Sequence, residues 1–249
     1  MIRKMNKYEL KNLSPAKRQK LLLEELKQHK VLDVREAAKQ LYTAEATIRR
    51  DFNKLAAAGL VRRTYGGAVL VDETDEKIPI YARESQDVEK KEALCRQAVE
   101  LIQDGDTIIL DSSTTVLHLI RYLKARKKLK IVTNGAKTAV LLADLQDAVV
   151  YCTGGRMREH NLSYVGQTAI DFIRNFHADT CFFSCRSLSE RGLSDGSEEE
   201  VFLRRAMMDS SRQSVLMIDS SKCDTDSAFH ICDADAVTHI LCDCAVYQK

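Results

Sequence analysis

Six short apolar runs, separated by amphipathic stretches, set the strongest limit on how this chain can fold. They are TIIL (107–110), KIVT (130–133), AVVY (148–151), CFFS (181–184), SVLMI (214–218) and HILC (239–242). Short β-rich runs alternating with helical patterns predict an α/β domain built on a mostly parallel sheet. Such a sheet presents its ligand-binding loops at the carboxyl ends of its strands. The residues that follow the six runs are DSSTT, NGAKT, CTGG, CRS, DSSK and DC. Ser, Thr, Asn, Gly and Lys recur there, which makes a polar rim suited to a phosphate.

Within that rim the stretch Asp111-Ser112-Ser113-Thr114-Thr115 is the densest in hydroxyls. If VLHLIRYL (116–123) is helical, these residues sit at a helix N-terminus, where free backbone N–H groups and the helix dipole favour an anion. Helix capping alone would also account for Ser and Thr there. Thr133 and Asn134, Gly154 and Gly155, Arg186, and Lys222 as a counter-charge stand at other strand ends, and together they favour a phosphate site.

The formal net charge of +2 hides an asymmetry. Residues 1–70 hold 16 Lys and Arg against 7 Asp and Glu, whereas residues 71–249 hold 22 against 29. A basic head on a mildly acidic body implies that the head alone meets a polyanion. Ser14-Pro15 starts a first helix with the apolar stripe Leu22, Leu23 and Leu26. VLDV is a short extended piece, and Asp33 with Glu36 forms a capping box for the helix REAAKQLY. A third helix, EATIRRDFNKLAAA, follows the Thr43-Ala44 turn and stops at Gly59; LVRRTYGGAVLV then reads as two short strands around a Gly-Gly turn. Three helices and a β-ribbon make a winged helix-turn-helix.

Spacing on the third helix separates packing from recognition. Ile48, Phe52 and Leu55 share one face, while Thr47, Arg50 and Lys54 repeat the same spacing on another, beside Arg49 and Asn53. Arginines at the start of an exposed helix suit base edges in the major groove of double-stranded DNA. With Thr43 and Glu45 at the helix start, and Arg62, Arg63, Tyr65, Gly66 and Gly67 on the wing, these are the candidate DNA contacts. The plainer alternative is a solvated basic helix whose arginines pair with Asp51.

The remaining signals mostly exclude. No run of eighteen apolar residues suggests a membrane span, and the basic start MIRKMNKYELKN leads into no apolar signal region. Eight cysteines without a CxxC pair fit reduced thiols in a cytoplasm; the CxC of Cys242 and Cys244 lacks a partner histidine pair. His118 and His177 read as helical packing or surface residues, and His160 and His230 as loop residues near strand ends. No metal and no cofactor is expected. The boundaries read from composition are a head at 1–71, an acidic linker at 72–85 with Pro79, and a larger domain at 86–249 that opens on the helix KKEALCRQAVELI.

The stretch VREAAKQLYTAEATIRRDFNKLAAAGLVRRTYGGA closely resembles the N-terminal domain of DeoR-family bacterial transcription regulators, with TIRRD, the helix-ending glycine and the wing's GGA in register. Ala44 stands where the family commonly places a capping serine, which Thr43 would replace by starting the helix one residue earlier. DGDTIILDSSTT, IVTN, CTGG, LSYVG and DSSK resemble the family's effector domain, whose fold is related to sugar-phosphate isomerases. Ser113 stands where a glycine is usual, and Arg186 is bulky for its position. The resemblance implies a repressor of carbohydrate-metabolism genes, a homodimer or homotetramer, whose DNA affinity responds to a phosphorylated sugar.

An isomerase-like enzyme with a DNA-binding head is the alternative. Asp111, Asp195, Glu198 and Glu199 are its candidate acids and bases. Ser197 with Glu200, however, reads as another capping box, which explains the acidic run structurally. The head itself argues for a sensor rather than an enzyme.

Overall fold

The computed structural model describes residue 10, residues 13–70 and residues 79–243; Cys244, residues 72–78 of the acidic stretch, and MIRKMNKYELKN apart from Leu10 lie outside the described residues. The chain divides into two compact units, Met1–Arg83 and Glu84–Lys249.

In the first unit, α1 (Pro15–His29) starts at Ser14, whose hydroxyl accepts from the Lys17 amide at 3.4 Å, with proline in the first turn. β1 (Val31–Asp33) leads into α2 (Val34–Gln40), where the Asp33 carboxylate accepts from the Arg35 and Glu36 amides at 2.7 and 3.2 Å. α3 (Glu45–Ala57) follows, with Ala44 as N-cap and no side-chain cap; Thr43 does not take the cap over. Gly59, at φ +73°, ends the helix in the left-handed region. β2 (Val61–Arg63) and β3 (Gly67–Leu70) form the wing, and β1 joins them in the order β1-β3-β2, all antiparallel. Gly67 is required sterically, because a Cβ there would lie 2.1 Å from the Leu32 carbonyl oxygen.

Leu22, Leu26, Leu41, Ile48, Phe52 and Ala68 close the core of this unit. Asp51 is buried beside it and accepts from Arg18 Nε at 2.5 Å and Gln19 Nε2 at 2.8 Å. This aspartate therefore ties α3 to α1 and does not pair with the arginines of its own helix.

After Pro79 comes α4 (Ile80–Glu84), a helix inside the stretch expected to be a linker. α4 ends at the boundary between the units, and the second unit carries α5 (Val88–Ala98), β4 (Thr107–Leu110), α6 (Thr114–Leu117), α7 (Ile120–Leu123), β5 (Leu129–Thr133), α8 (Ala136–Leu142) and β6 (Ala148–Cys152). A hairpin of β7 (Arg156–Arg158) and β8 (Ser163–Val165), α9 (Gln167–Ile173), β9 (Ala178–Phe183), β10 (Ser187–Ser189) and β11 (Gly192–Asp195) follow. α10 (Glu198–Asp209), β12 (Ser211–Ile218), β13 (Phe229–Cys232) and β14 (His239–Cys242) complete it.

β4, β5, β6, β9, β12 and β14 form one sheet in the order β14-β12-β9-β4-β5-β6, and every pairing is parallel. Its residues alternate between two cores. Ile108, Leu110, Phe182, Val215, Met217 and Leu241 face α5, α6 and α7, whereas Ile109, Cys181, Phe183, Leu216, Ile218 and Ile240 face α9 and α10. Burial on both faces explains why the inner runs read as continuously apolar in sequence, whereas β6, at the sheet edge, leaves Val149 and Tyr151 exposed. Counted in chain order, the strands run 3-2-1-4-5-6, so the winding reverses between β4 and β9. The crevice for a ligand opens at that point, beyond the strand ends.

Two expectations fail locally. VLHLIRYL is not one helix but two four-residue helices joined at His118-Leu119. Thr114 through Ile120 are buried all round, and i→i+3 bonds from Leu119 to Val116 and from Tyr122 to Leu119, both 2.9 Å, tighten the junction. His177 lies in the loop before β9, and His230 lies in strand β13. No helix among the described residues is long and apolar enough to cross a membrane.

Replacing Asp51 with alanine would leave Arg18 nearly buried without its counter-charge, at a cost of about 3 kcal/mol. Calorimetry on the full chain should show the head's transition lowered by roughly 12 °C or more. A head transition that does not move would mean that the Asp51–Arg18 tie is not structural.

Candidate functional site

In the head, the pairing of Asp51 with α1 leaves the opposite face of α3 to solvent. Arg50, Asn53 and Lys54 are exposed there, Thr47 is half-buried, and Arg50 has no side-chain partner among the described residues. Arg49 donates to Glu45 at 2.8 Å, and Arg35 approaches the same carboxylate at 4.0 Å. Thr43 is half-buried at the turn. On the wing, Arg62, Tyr65 and Gly66 are exposed and Gly67 is buried. Arg63 differs from Arg62: its guanidinium lies over the Phe52 ring, 5.5 Å from the centroid, and its Nη1 is buried without a hydrogen-bond partner. The structure thus brings Arg62 and the α3 row to one exposed surface and turns Arg63 partly into the core.

In the second unit, the residues after β4 divide into holders and presenters. Asp111 is buried; its Oδ1 accepts from the Ser113 amide at 2.9 Å and its Oδ2 from the Ser184 amide at 3.0 Å. One carboxylate therefore pins the loops on both sides of the winding reversal. Burial pushes its carboxyl above the usual range, against the pull of Arg204 and of the two amides. Thr133 is a holder too, accepting from the Gly135 amide at 3.0 Å. Asn134 donates to Ser112 Oγ at 3.4 Å and to the Tyr164 carbonyl at 3.2 Å, so it joins the ends of β4 and β5.

Ser113 caps α6 by accepting from the Val116 amide at 3.2 Å. With only four residues, that helix has a much smaller dipole than the sequence suggested. The case for an anion passes instead to hydroxyls and amides. Several buried polar atoms around the crevice have no hydrogen-bond partner: Thr115 Oγ1, Asn134 Oδ1, Thr138 Oγ1 and Ser184 Oγ. Asn134 and Ser184 directly follow β5 and β9, while Thr115 and Thr138 lie in α6 and α8, the helices that follow β4 and β5. Buried polar atoms normally have partners, so a cluster of orphans needs an explanation.

Gly154 and Gly155 follow β6 with φ of +64° and +110°. A Cβ on Gly154 would meet nothing within 4 Å, while one on Gly155 would come 2.9 Å from the Val165 carbonyl oxygen. Thr114 is buried, and Arg186 is half-buried at the end of β9. Lys222 sits in a 3-10 turn after β12 and lies 3.5 Å from Asp219. Burial opposes ionisation of Asp219, but Lys222 and the Ser221 hydroxyl and amide hold it below the usual carboxylate range.

Sequence reasoning missed the charged network beneath this rim. Arg204 reaches Asp111 at 3.5 Å, Asp195 at 3.0 Å and Glu200 at 3.8 Å. Burial alone would lower its pKa, yet Asp195, Glu200 and Asp111 overrule it and hold Arg204 above its usual range. Ser197 makes no side-chain cap; Glu200 turns inward and accepts from Ser163 Oγ at 2.7 Å and Arg158 Nη1 at 3.3 Å. The Ser197–Glu200 capping box therefore does not form. The available signal was a Glu-Arg pair at i, i+4 among Val201, Leu203 and Met207 on the apolar side of α10. Among the described residues no cluster of three or more His, Cys, Asp or Glu is placed to hold a metal ion.

Comparison with known families completes the description. The model of the DeoR C-terminal sensor domain matches residues 86–244, and that of the DeoR-like helix-turn-helix domain matches residues 18–74. The chain belongs to the DeoR family.

Family membership makes it a DNA-binding transcriptional regulator, with the helix-turn-helix in the head. Among curated relatives, it is 32% identical over 229 residues to the uncharacterized HTH-type transcriptional regulator YulB of Bacillus subtilis, covering 92% of this chain and 88% of that one. It is 30% identical over 240 residues to the HTH-type transcriptional regulator GolR of Listeria innocua, covering 94% of each. The transcriptional repressor GlcR of Bacillus subtilis is 30% identical over 224 residues, covering 89% and 86%. Solved structures are more distant. Ribose 5-phosphate isomerase A of Methanocaldococcus jannaschii matches at 16% identity and a TM-score of 0.41, over 55% of each chain, so this chain spans about half its length. The Pyrococcus horikoshii translation initiation factor eIF-2B matches at 14% identity and a TM-score of 0.46, over 94% of this chain and 92% of that one.

Replacing Arg204 with methionine should destabilise the sensor unit at neutral pH by about 3 kcal/mol or more, because three carboxylates lose one counter-charge. Without it, burial holds the Asp111 carboxyl still further above its unfolded value. The folded variant then binds more protons than its unfolded chain, and its stability rises as pH falls. The melting-temperature gap to the parent should narrow between pH 7.5 and 5.5. A constant gap would assign the loss to packing instead.

Proposed function

We propose that this regulator is a metabolite-controlled repressor whose effector is a phosphorylated sugar, bound at the crevice between the ends of β4 and β9. The carrying observation is that Thr115 Oγ1, Asn134 Oδ1 and Ser184 Oγ, in the segments that follow β4, β5 and β9, are buried without a hydrogen-bond partner. A polar ligand supplies the missing partners, and a sugar phosphate matches a site rich in hydroxyls. Ser112, Ser113, Thr114, Thr115 and Asn134 would contact it, with the amides of Gly154-Gly155 at one side and Arg186 and Lys222 supplying positive charge. Asp111 and Thr133 hold these groups in place and do not touch the ligand.

Engagement of the carboxylates favours sensing over catalysis. Of the candidate acids and bases, Asp111 and Asp195 are committed to Arg204 and Glu199 pairs with Arg156, while Glu198 is exposed on the first turn of α10.

In the head, Thr43, Glu45, Thr47, Arg49, Arg50, Asn53 and Lys54 would enter or border the major groove, and Arg62, Tyr65, Gly66 and Gly67 would carry the wing to adjacent phosphates. Arg63 steadies the wing from within. The functional divisions are a head at 1–71, a connection at 72–85 and a sensor at 86–249. A cytoplasmic homodimer or homotetramer would place paired heads on repeated half-sites. The effector acts to the extent that it binds two arrangements of the heads with different affinity.

Arg50→Ala should weaken binding to a selected operator about tenfold to a hundredfold, with little change in effector affinity. Unchanged operator affinity would remove α3 from recognition. For the sensor, phosphorylated sugars should raise the melting temperature of the full chain while the same sugars without phosphate do not, since a ligand at a hundredfold excess over Kd adds about 2.7 kcal/mol. Lys222→Ala should weaken that response and leave ligand-free DNA affinity intact. A response that survives the substitution would place the phosphate elsewhere.

A further inference from the structure

A pair of thiols lies beside the Lys222 turn. Cys223 follows the 3-10 turn Ser220–Lys222, and Cys242 is the last residue of β14. Their sulfurs are 3.8 Å apart, and neither is in a disulfide. Cys242 is buried and Cys223 is partly exposed. The segments that carry them are already held together, because the Ser220 amide donates to Asp243 Oδ1 at 2.5 Å and Ser220 Oγ to Asp243 Oδ2 at 3.0 Å. Lys90 adds a bond to Ser220 Oγ at 3.1 Å and an ion pair with Asp243 at 3.3 Å. A disulfide requires the sulfurs to close to about 2.05 Å. The approach needed is small, and it joins two segments that do not have to be brought together.

We propose that Cys223 and Cys242 form a peroxide-responsive thiol pair that closes to a disulfide and fixes the Lys222 turn against the end of β14. The accessible Cys223 thiolate attacks one oxygen of a hydroperoxide, the O–O bond breaks, and Cys223 becomes a sulfenic acid while the other oxygen leaves as hydroxide or alkoxide. The Cys242 thiol then attacks the Cys223 sulfur, the S–O bond breaks, and water leaves. Two thiols and one hydrogen peroxide thus yield one disulfide and two waters. Among the other described cysteines, Cys95, Cys181 and Cys185 are buried, with thiols pushed up to about 12 by burial, and the partly exposed Cys232 is pushed up to about 11 by burial and by Asp233; Cys152 is exposed. The bond chemistry is independent of the effector assignment; only its consequence, a Lys222 held in one position, rests on that reading.

Chymotrypsin separates the relevant cysteines, because Phe229 and Leu241 divide Cys223, Cys232 and Cys242 among three peptides. The full chain is treated with a small excess of hydrogen peroxide, alkylated and digested without reductant. The expected result is the peptide ending at Phe229 joined to the peptide beginning at Cys242, released by dithiothreitol, with fragmentation placing the bond at Cys242 rather than Cys244. Cys242→Ser should abolish the link and Cys244→Ser should preserve it. If Cys242→Ser does not fold, fragmentation of the parent's linked peptide decides alone. An unlinked Cys223 peptide, a bond to Cys244 or Cys232, or oxidation of Cys223 straight to sulfinic acid would each overturn the proposal.

Discussion

One buried carboxylate organises the sensor unit. Asp111 accepts from the amide of Ser113 in its own loop and from the amide of Ser184 in the loop after β9. Those two loops leave adjacent parallel strands on opposite sides of the winding reversal, just beyond the last backbone bond between them, from the Asp111 amide to the Phe182 carbonyl at 3.0 Å. The carboxylate tolerates burial because Arg204 lies beside it, and Arg204 tolerates burial because Asp195 and Glu200 lie beside it. Glu200 in turn reaches Ser163 and Arg158, so the same network anchors the β7–β8 hairpin. Removing one partner of such a set is far costlier than exchanging a surface charge.

The head uses the same device on a smaller scale. Asp51 sits on the recognition helix but faces α1, where Arg18 and Gln19 engage it. The helix is thereby fixed through its acidic side, and its basic row stays available to a polyanion. Arg63 follows a related logic, giving up exposure to cover Phe52 while Arg62 remains outside. In both units a residue that looks like surface charge in the sequence positions the residues proposed to do the binding.

Much of this was legible in the sequence, for reasons that can be named. Most of the six strands stood out because a sheet buried on both faces demands unbroken apolar runs, though β6 keeps its apolar run with an exposed face. The head's helices stood out because Ser14, Asp33 and Gly59 mark ends by local chemistry. Less visible were features decided by tertiary contacts. Glu200 fits a capping box by spacing, yet the buried Arg204 draws it inward. Asp51 was open to pairing with the arginines beside it, but α1 lies on its side of the helix. VLHLIRYL has helical periodicity, but burial on all sides lets the chain tighten at His118-Leu119. The small sheet of β10, β11 and β13 escaped notice because its strands are short, and SLS, GLSD and FHIC carry little pattern. Asp111 reads as part of a ligand rim in the sequence; its burial and its bonds to the Ser113 and Ser184 amides are visible only in the structure.

The central claim is that a ligand enters at the winding reversal and satisfies the orphaned groups there. Hydrogen exchange by mass spectrometry on the full chain, with and without a sugar phosphate that raises its melting temperature, tests this most directly. Slowed exchange is predicted in the loops that begin at Ser112, Asn134, Gly154 and Ser184. Protection confined to other segments of the sensor, with those four loops unchanged, would contradict the account.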